Sequence, residues 1–366
     1  MRRKGYKLAL IASALIYSAE ASAADSTATS SIPWSGLVDV YYSKNFNSPS
    51  TGTNQMRNFD IYENQIGFSL AKLTVQKQSK PVGFRLDLAF GPTNDFVQGV
   101  APYGPNAFST LSLLEQAYLE AVLPFGSGLT VDVGKFVTLM GNEVIESDLN
   151  WNYSRSLLFA YGIPYYHEGI RMTYSFASNL TASLHIVNSW NTVIDNNKSK
   201  SVGLGLTYTP TPTTTLVLNS MSGFEQPAGA EYGKKDVGEI IITQQVGDDL
   251  TFAVDANYGQ ERVAGFLNTW KGVAAYAKCT LSPKSDLALR AEIYYDPESY
   301  TTDAVFPKAT FKEATLTYEY DMFSNLMLRG ELRDDFANGP AFVSASSGFP
   351  SRTSQPTFLI GAVATF

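Results

Sequence analysis

The stretch Val82-Gly83-Phe84-Arg85-Leu86-Asp87-Leu88-Ala89-Phe90 carries the clearest structural pattern in this chain. Its even positions all hold large apolar side chains, whereas its odd positions hold glycine, arginine, aspartate and alanine. Because successive side chains of a β-strand point to opposite faces, this alternation predicts a strand with one apolar and one polar face. A strand that buries its apolar face in the core of a soluble protein has the same pattern, so this stretch alone leaves the fold class open.

The same alternation recurs along most of the chain, interrupted by turn-forming residues about every ten to twelve positions. A transmembrane strand of about ten tilted residues matches the apolar thickness of a bilayer. The alternation predicts 16 strands, near residues 34–44, 62–75, 82–90, 113–123, 128–137, 167–176, 180–189, 200–209, 213–222, 236–246, 250–260, 271–281, 286–296, 309–322, 325–336 and 356–366.

The connections between these strands alternate in length. The short ones are 76–81, 124–127, 177–179, 210–212, 247–249, 282–285 and 322–324. The long ones are 45–61, 91–112, 138–166, 190–199, 223–235, 261–270, 297–308 and 337–355. Short turns at one end and long loops at the other are typical of bacterial outer-membrane barrels, and no β-sandwich requires them. The sequence therefore predicts an all-β, antiparallel, up-and-down transmembrane barrel of about 16 strands with periplasmic termini.

The first residues have the order of a secretory signal peptide. A basic stretch, Met1 to Lys7, precedes an apolar run from Leu8 to Ala19 and then the sequence Ala21-Ser22-Ala23. The apolar run is shorter than the roughly 20 residues that a membrane-spanning helix needs. We therefore expect a signal peptide over residues 1–23, a short N-terminal segment over 24–33 and the barrel over 34–366.

The composition narrows the function classes. Without residues 1–23, which hold four basic residues and one acid, the chain has 23 Lys+Arg and 33 Asp+Glu, a formal charge of −10. This balance argues against a nucleic-acid partner, which requires basic surfaces. One cysteine and two histidines argue against a disulfide framework and against a histidine- or cysteine-based metal site. We expect neither a metal nor another cofactor.

The aromatic residues and the end of the chain fit a bacterial outer membrane. Tyrosines prefer the interfaces of a bilayer, so those near strand ends predict aromatic girdles that contact outer-membrane lipid and lipopolysaccharide. The last predicted strand alternates and ends in Phe366, as in barrels that the assembly machinery of this membrane recognises. The predicted girdle residues are Tyr41, Tyr42, Tyr208, Tyr258, Tyr294, Tyr295, Tyr318 and Tyr320.

The polar faces of the later strands carry charges of both signs. Arg290 and Glu292 share one face of their strand, and Arg329, Glu331 and Arg333 share one face of theirs. Dense charge is costly in a dry core but costs little in a water-filled lumen. A barrel of about 16 strands is wide enough for an aqueous channel, so the pattern favours a wet lumen.

The long connection 138–166 follows the fifth strand and is the third long loop. In its position it resembles the loop that folds into the lumen of general porins, and its aromatic residues are unsuited to an exposed surface loop. Charges at a narrowing set ion preference. Candidate residues of such a constriction are the acids Glu143, Glu146 and Asp148, the wall residues Arg85, Arg171, Arg290, Arg329 and Arg333, and Arg155, which we expect to pin the loop to the wall.

This part of the chain resembles the OmpL-like "putative β-barrel porin-2" family. The resemblance rests on a strand that ends in Gly-Lys, a Gly-x-Glu, an Asn followed by Ser-Arg-Ser, and a His-x-Gly. Glu168 stands where a threonine is common in the family. The resemblance implies an outer-membrane porin-like barrel without an established substrate or catalytic residue. The matching residues are Gly134, Lys135, Phe136, Gly141, Glu143, Asn150, Ser154, Arg155, Ser156, His167 and Gly169.

Enzyme activity is not expected. Ser183 and His185 lie on one face of a predicted strand, but residues two apart on a strand have Cβ atoms roughly 6–7 Å apart, which is loose for a nucleophile and its base. We expect His185 to point into the lumen and His167 to hydrogen-bond the loop. The expected function is passive diffusion of small hydrophilic solutes or ions with a mild cation preference. The alternative is a non-conducting barrel that displays loops for adhesion or receptor interactions, and a homo-oligomer is possible in either case.

Overall fold

The computed structural model describes residues 32–99, 110–195, 197–226 and 233–366. The expected signal peptide and most of the short N-terminal segment lie outside these residues. The strands are β1 Trp34–Asn45, β2 Gln65–Lys77, β3 Val82–Phe90, β4 Leu114–Leu123, β5 Leu129–Val137, β6 Tyr166–Ala177, β7 Leu180–Val187, β8 Ser201–Thr211, β9 Thr214–Phe224, β10 Lys234–Val246, β11 Leu250–Val263, β12 Phe266–Ser282, β13 Ser285–Asp296, β14 Ala309–Phe323, β15 Leu326–Ala337, β16 Phe342–Val343, β17 Pro350–Arg352 and β18 Ser354–Thr365.

Sixteen of these strands form one closed antiparallel barrel. Each pairs with its neighbour in sequence from β1 to β15, and β18 closes the ring between β15 and β1. Leu37 pairs with Thr365 at this closure, and Gly36 and Phe366 exchange backbone hydrogen bonds. The predicted 16-strand barrel is confirmed, and both of its chain ends lie at the end with the short turns.

The two faces of each strand differ as the alternation predicts. In β8, Leu204 and Leu206 are exposed on the outside, whereas Gly203 and Gly205 are buried on the inside. Outward apolar side chains suit a lipid environment, and closure pairs the backbone groups that an open sheet edge would leave unpaired. The sequence pattern therefore fixes the inside and the outside of the barrel.

Two of the expected girdle tyrosines point inward instead. Tyr41 and Tyr294 are buried in the barrel interior, where Tyr41 Oη accepts a hydrogen bond from Tyr62 N at 3.1 Å. Each belongs to a pair of consecutive tyrosines, and adjacent residues of a strand must face opposite ways. Only one member of each pair can face the lipid, so the expectation is wrong for these two.

The connection expected at 261–270 is also different. Strands β11 and β12 continue past the expected ends and are joined by Ala264 and Gly265 alone, both with positive φ. A two-residue turn with two positive φ angles matches the twist of a β-hairpin. Apart from Leu267, the outward positions of this part of the hairpin hold the polar residues Gln260, Arg262 and Thr269, so the apolar alternation of the other strands is interrupted here.

The other connections contain little regular structure. A short α-helix, α1 Pro92–Val97, follows β3, and β16 and β17 form a separate two-stranded sheet before β18. Within the described residues, no helix is both long enough and apolar enough to cross a membrane. The long connection after β5 contains a 3₁₀ turn, Ser147–Leu149, and a π-helical turn, Leu158–Gly162.

Candidate functional site: the segment inside the barrel

Residues 138–165, which we call the inner segment, cross the interior of the barrel. The segment leaves β5 and returns to β6, yet Gly141 N donates to Glu239 of β10 at 3.0 Å and Tyr153 N donates to Glu331 of β15 at 2.7 Å. Tyr153 Oη also donates to Asp39 of β1, at 2.7 Å. Its partners therefore extend along the wall from β10 to β1, away from its own strands.

Wall carboxylates accept the backbone N–H groups of this segment. Glu292 of β13 accepts from Leu157 N and Leu158 N, both at 2.6 Å. Asp255 of β11 accepts from Asn142 N at 3.2 Å, and Glu331 also accepts from Ser154 N. An irregular segment cannot pair its own peptide groups, and buried unpaired donors cost free energy. These carboxylates supply the missing acceptors.

Wall arginines bind the carbonyl oxygens of the same segment. Arg290 Nη1 donates to Ser154 O at 2.6 Å, Arg333 Nη1 donates to Arg155 O at 2.6 Å, and Arg329 donates to the carbonyl oxygens of Ser147 and Asn150. A guanidinium group has five N–H donors, so each arginine also keeps a carboxylate partner on the wall. The wall thus holds the main chain of the segment through both donors and acceptors.

Two of the three candidate acids in this segment form ion pairs. Glu143 Oε1 lies 2.6 Å from Arg290 Nη1, and its Oε2 accepts a hydrogen bond from Ser156 N at 2.7 Å. Glu146 pairs with Lys72 of β2, an inward lysine that sequence reasoning did not select. Both acids therefore contact cations directly instead of facing them across a channel.

Asp148 has a different environment. It is partly exposed, and no cation among the described residues lies within ion-pair distance of it. Burial, together with the nearby charge of Glu146, raises the pKa of the Asp148 carboxyl to about 6. The charge of Asp148 therefore changes just below neutral pH.

We expected the side chain of Arg155 to pin the segment to the wall, but it does not. Its guanidinium donates to the carbonyl oxygens of Val144, Ile145 and Tyr153, all within the segment itself. The group also lies 4.6 Å from the centre of the Phe59 ring. The side chain therefore holds the two arms of the segment together, while the wall contact runs through its backbone carbonyl.

Arg85 and Arg171 do not contact the inner segment through any described ion pair or hydrogen bond. Arg85 Nη2 lies 3.0 Å from Asp87 on its own strand. Arg171 Nε donates to Asp132 of β5 at 2.8 Å, and its guanidinium lies 4.8 Å from the centre of the Phe136 ring. These two arginines balance charge within the wall.

The expectation of a lumen in which wall charges are solvated is wrong at the level of the inner segment. The side chains of Arg290 and Glu313 are 0% exposed and lie 2.6 Å apart. The connection between β1 and β2 also enters the barrel. Its Arg57 pairs with Asp335 at 2.6 Å, and its Asn58 donates to Ala160 O. Ion pairs and hydrogen bonds offset the desolvation penalty of these buried charges.

Both histidines have structural contacts. His167 Nε2 lies 3.1 Å from Thr138 Oγ1 and its Nδ1 lies 3.1 Å from Ser189 O, so it contacts the start of the inner segment as predicted. Contrary to expectation, Ser183 and His185 are in hydrogen-bond contact, with His185 Nε2 3.2 Å from Ser183 Oγ. Side chains lean along a strand, which closes the gap between their Cβ atoms. His185 is fully buried, and its Nδ1 has no orienting partner among the described residues.

Most residues of the sequence motif lie in the inner segment, flank it or contact it, whereas Lys135 and Phe136 bind other parts of the barrel. Gly134 and Gly169 pair across β5 and β6 at the root of the segment, and a Cβ at either position would collide with a backbone carbonyl of the neighbouring strand. Asn150 bridges the segment through Val144 N and the carbonyl oxygens of Val144 and Glu146. The contacts of the other motif residues are Lys135 to Gln98 and Leu114 O, Phe136 to His185, Gly141 to Glu239, Ser154 to Arg290, and Ser156 to Glu143 and Phe159 N.

Several wall residues that hold the segment were not selected from the sequence. All of them occupy inward-facing positions of predicted strands, and the alternation of the sequence already identifies these positions. What the sequence lacks is a sign that the inner segment is opposite them. These residues are Asp39, Lys72, Glu239, Asp255, Glu292 and Glu331.

The geometry agrees with comparisons against known proteins. The family model described as "Putative beta-barrel porin-2, OmpL-like" matches residues 31–366. The chain belongs to this family. Members of it and the structural neighbours are outer-membrane β-barrel proteins, so the chain is a porin-like barrel of the bacterial outer membrane. No curated protein sequence matches the chain.

Solved porin structures share the fold at low sequence identity. An anion-selective porin from Comamonas acidovorans superposes with a TM-score of 0.62 at 12% identity, covering 92% of this chain and 99% of that one. The outer membrane channel DcaP of Acinetobacter baumannii gives 0.62 at 10% identity, covering 92% and 97%. A loop-deletion mutant of OmpT, an outer membrane protein of Vibrio cholerae, gives 0.60 at 13% identity, covering 92% and 99%. At these identities the likeness shows the fold alone.

Proposed function

We propose that the protein is a diffusion channel for small hydrophilic solutes and ions, narrowed by the inner segment and mildly selective for cations. The observation that supports it is the inner segment itself, which a polar wall holds across the barrel at fixed points. Hydrogen bonds and ion pairs at so many peptide groups resist displacement of the segment by passing solute. In this proposal the short turns and both termini face the periplasm, and residues 1–23 are a removed signal peptide.

The proposed cation preference depends on which charges remain uncompensated near the segment. Glu143 and Glu146 are paired with cations, whereas Asp148 is partly exposed without a described ion pair. We therefore assign the largest part of the preference to Asp148, aided by the overall negative charge. The Comamonas porin of the same fold is anion-selective, so the barrel alone does not set the sign of the preference.

A second function is favoured by one specific observation, the nearly complete burial of the wall charges around the inner segment. A barrel filled in this way also suits a non-conducting protein that presents its long loops to an adhesion or receptor partner. No reaction is assigned to the protein, since the buried Ser183–His185 pair lacks an orienting group. We keep lipopolysaccharide, the assembly machinery acting on Phe366, and a homo-oligomer as proposed partners.

Conductance of the purified protein in planar bilayers separates the two functions. A channel gives discrete steps whose reversal potential in a salt gradient indicates cations, and the preference weakens in Asp148→Asn. Asp195→Asn is the matched control, because Asp195 lies in the connection after β7 and pairs with Lys200. A folded protein without conductance steps contradicts the channel and leaves the display function.

A further inference from the structure

A groove lies on the outer face of the barrel, away from the inner segment. It has a volume of about 570 Å³ and an almost entirely apolar lining contributed by strands β10 to β13. The groove exists because two outward positions hold small residues, Gly238 and Ala256. A Cβ built at Gly238 meets no heavy atom within 4 Å, so open space replaces the side chain that this position would otherwise present.

The pairing of the strands places the groove in two rows of outward side chains. Gly238, Tyr258, Lys271 and Tyr295 form the row nearer the long loops, because each is paired with the next across β10 to β13. Ile240, Ala256, Val273 and Ile293 form the row below it, and they are apolar throughout. One cation therefore stands above an apolar surface at the end of the barrel that carries the long loops.

Lys271 has an environment suited to an anion. It is exposed between two tyrosines, and its Nζ lies 5.6 Å from the centre of the Tyr295 ring. No carboxylate of the described residues lies within ion-pair distance of it; Glu298, the acid bound near it, accepts from Thr269 N and Thr269 Oγ1 instead. An exposed lysine next to tyrosines is typical of a membrane interface, where the ammonium reaches the head-group level.

We propose that this groove binds one anionic, phosphorylated lipid of the outer leaflet, with an acyl chain along Gly238 and Ala256 and its phosphate at Lys271. An apolar cleft excludes a free phosphate, since only a molecule with a hydrocarbon part covers the lower row of residues. The charge complementarity of Lys271 selects an anionic lipid over a zwitterionic one. The site rests on the proposed orientation, in which the long loops lie outside the cell, and it is independent of whether the barrel conducts.

The test is binding of purified lipopolysaccharide to the refolded protein, counted by native mass spectrometry in a neutral detergent. Lys271→Gln should weaken binding about fivefold, since one interfacial lysine contributes about 1 kcal/mol. Gly238→Leu should weaken it at least as much by filling the groove. The matched controls are Lys284→Gln, at the opposite end of the barrel, and Gly330→Leu, an outward position of β15 that is equally open.

Two further lipids and the oligomeric state of the protein show what occupies the groove. Dephosphorylated lipopolysaccharide should bind wild type and Lys271→Gln equally, and phosphatidylcholine should not distinguish any variant. Heat-dependent gel mobility confirms that each variant is folded, and light scattering reports its oligomeric state. Equal losses in the variants and their controls would overturn the proposal. So would a Gly238→Leu protein that changes its oligomeric state but keeps its lipid, because the groove would then be a contact with a second copy.

Discussion

Two groups of arginines on the inner face of the barrel differ in their partners. The first group is Arg290, Arg329 and Arg333, and the second group, on the other side of the barrel, is Arg85 and Arg171. The first three bind carbonyl oxygens of the inner segment and keep carboxylate partners on the wall. Among the described residues, the other two form ion pairs only within the wall. The difference shows that a wall charge acquires its role from the part of the segment opposite it, and the segment has wall partners from β10 round to β2.

The largest expected effect comes from removing a buried member of the first group. Arg290→Met leaves Glu143 and Glu313 without their shared cation in a buried site, which should cost about 3–5 kcal/mol of unfolding free energy. Arg85→Met should cost about 1 kcal/mol or less, because Asp87 keeps Lys72 and Gln116 as partners. Urea titration of both variants in the same detergent measures the contrast. Equal losses would mean that the inner segment adds nothing to the role of Arg290.

A smaller effect should follow from weakening one acceptor of the segment. Glu331→Gln replaces a carboxylate that accepts from Tyr153 N, Ser154 N and Thr317 Oγ1. Loss of charge-assisted bonds should lower the free energy of opening the segment by about 1–3 kcal/mol, which raises its cleavage by an added protease by a factor of about 5 to 150. Glu120→Gln, on β4, is the control and should leave cleavage unchanged. If the protease cleaved both variants at the same rate, the hydrogen bonds to Glu331 would not be what holds the segment in position.

The smallest effect expected is a pH dependence of selectivity. Because the pKa of Asp148 is about 6, its charge should be lost as the pH falls from about 7.5 to about 5, and the cation preference should weaken. The step should be larger at low salt, where screening is weaker. Asp148→Asn should lack the step. A raised carboxyl pKa also means that wild type loses stability as the pH rises between the ordinary value and about 6, a loss that Asp148→Asn removes.

A step in reversal potential that persists in Asp148→Asn would contradict this assignment. Such a result would transfer the titration to another group inside the barrel. If the reversal potential of wild type showed no step with pH, Asp148 would lie outside the path of the ions.

Much of the architecture follows from local sequence. A period of two specifies which residues face lipid, as in β3, and the length of the connection after β5 identifies the inner segment. The hairpin tip at Ala264 and Gly265 had a readable signal too, a two-residue connection that ends in glycine. The same rule, that adjacent residues of a strand face opposite ways, shows that Tyr41 and Tyr42 cannot both face the lipid.

The partners of the charges could not be predicted in this way. Glu143 and Arg290 are 147 residues apart in the chain and meet only because the segment crosses the barrel. Arg155 carries the same charge as the wall arginines, yet the fold of the segment turns it back onto its own carbonyl oxygens. Alternation specifies the face on which a residue lies but contains no information on what lies opposite that face.

The proposed channel function depends on the inner segment occupying a fixed position across the barrel. Asn152 Nδ2 of the segment donates to Thr317 Oγ1 of β14 at 2.8 Å, so cysteines at both positions, in a Cys279→Ala background, test it directly. We predict that a short bifunctional thiol crosslinker joins them in nearly every folded molecule, and that conductance and reversal potential are nearly the same before and after crosslinking. Failure to crosslink in the folded protein, or a large change in conductance once the crosslink forms, would contradict a fixed segment.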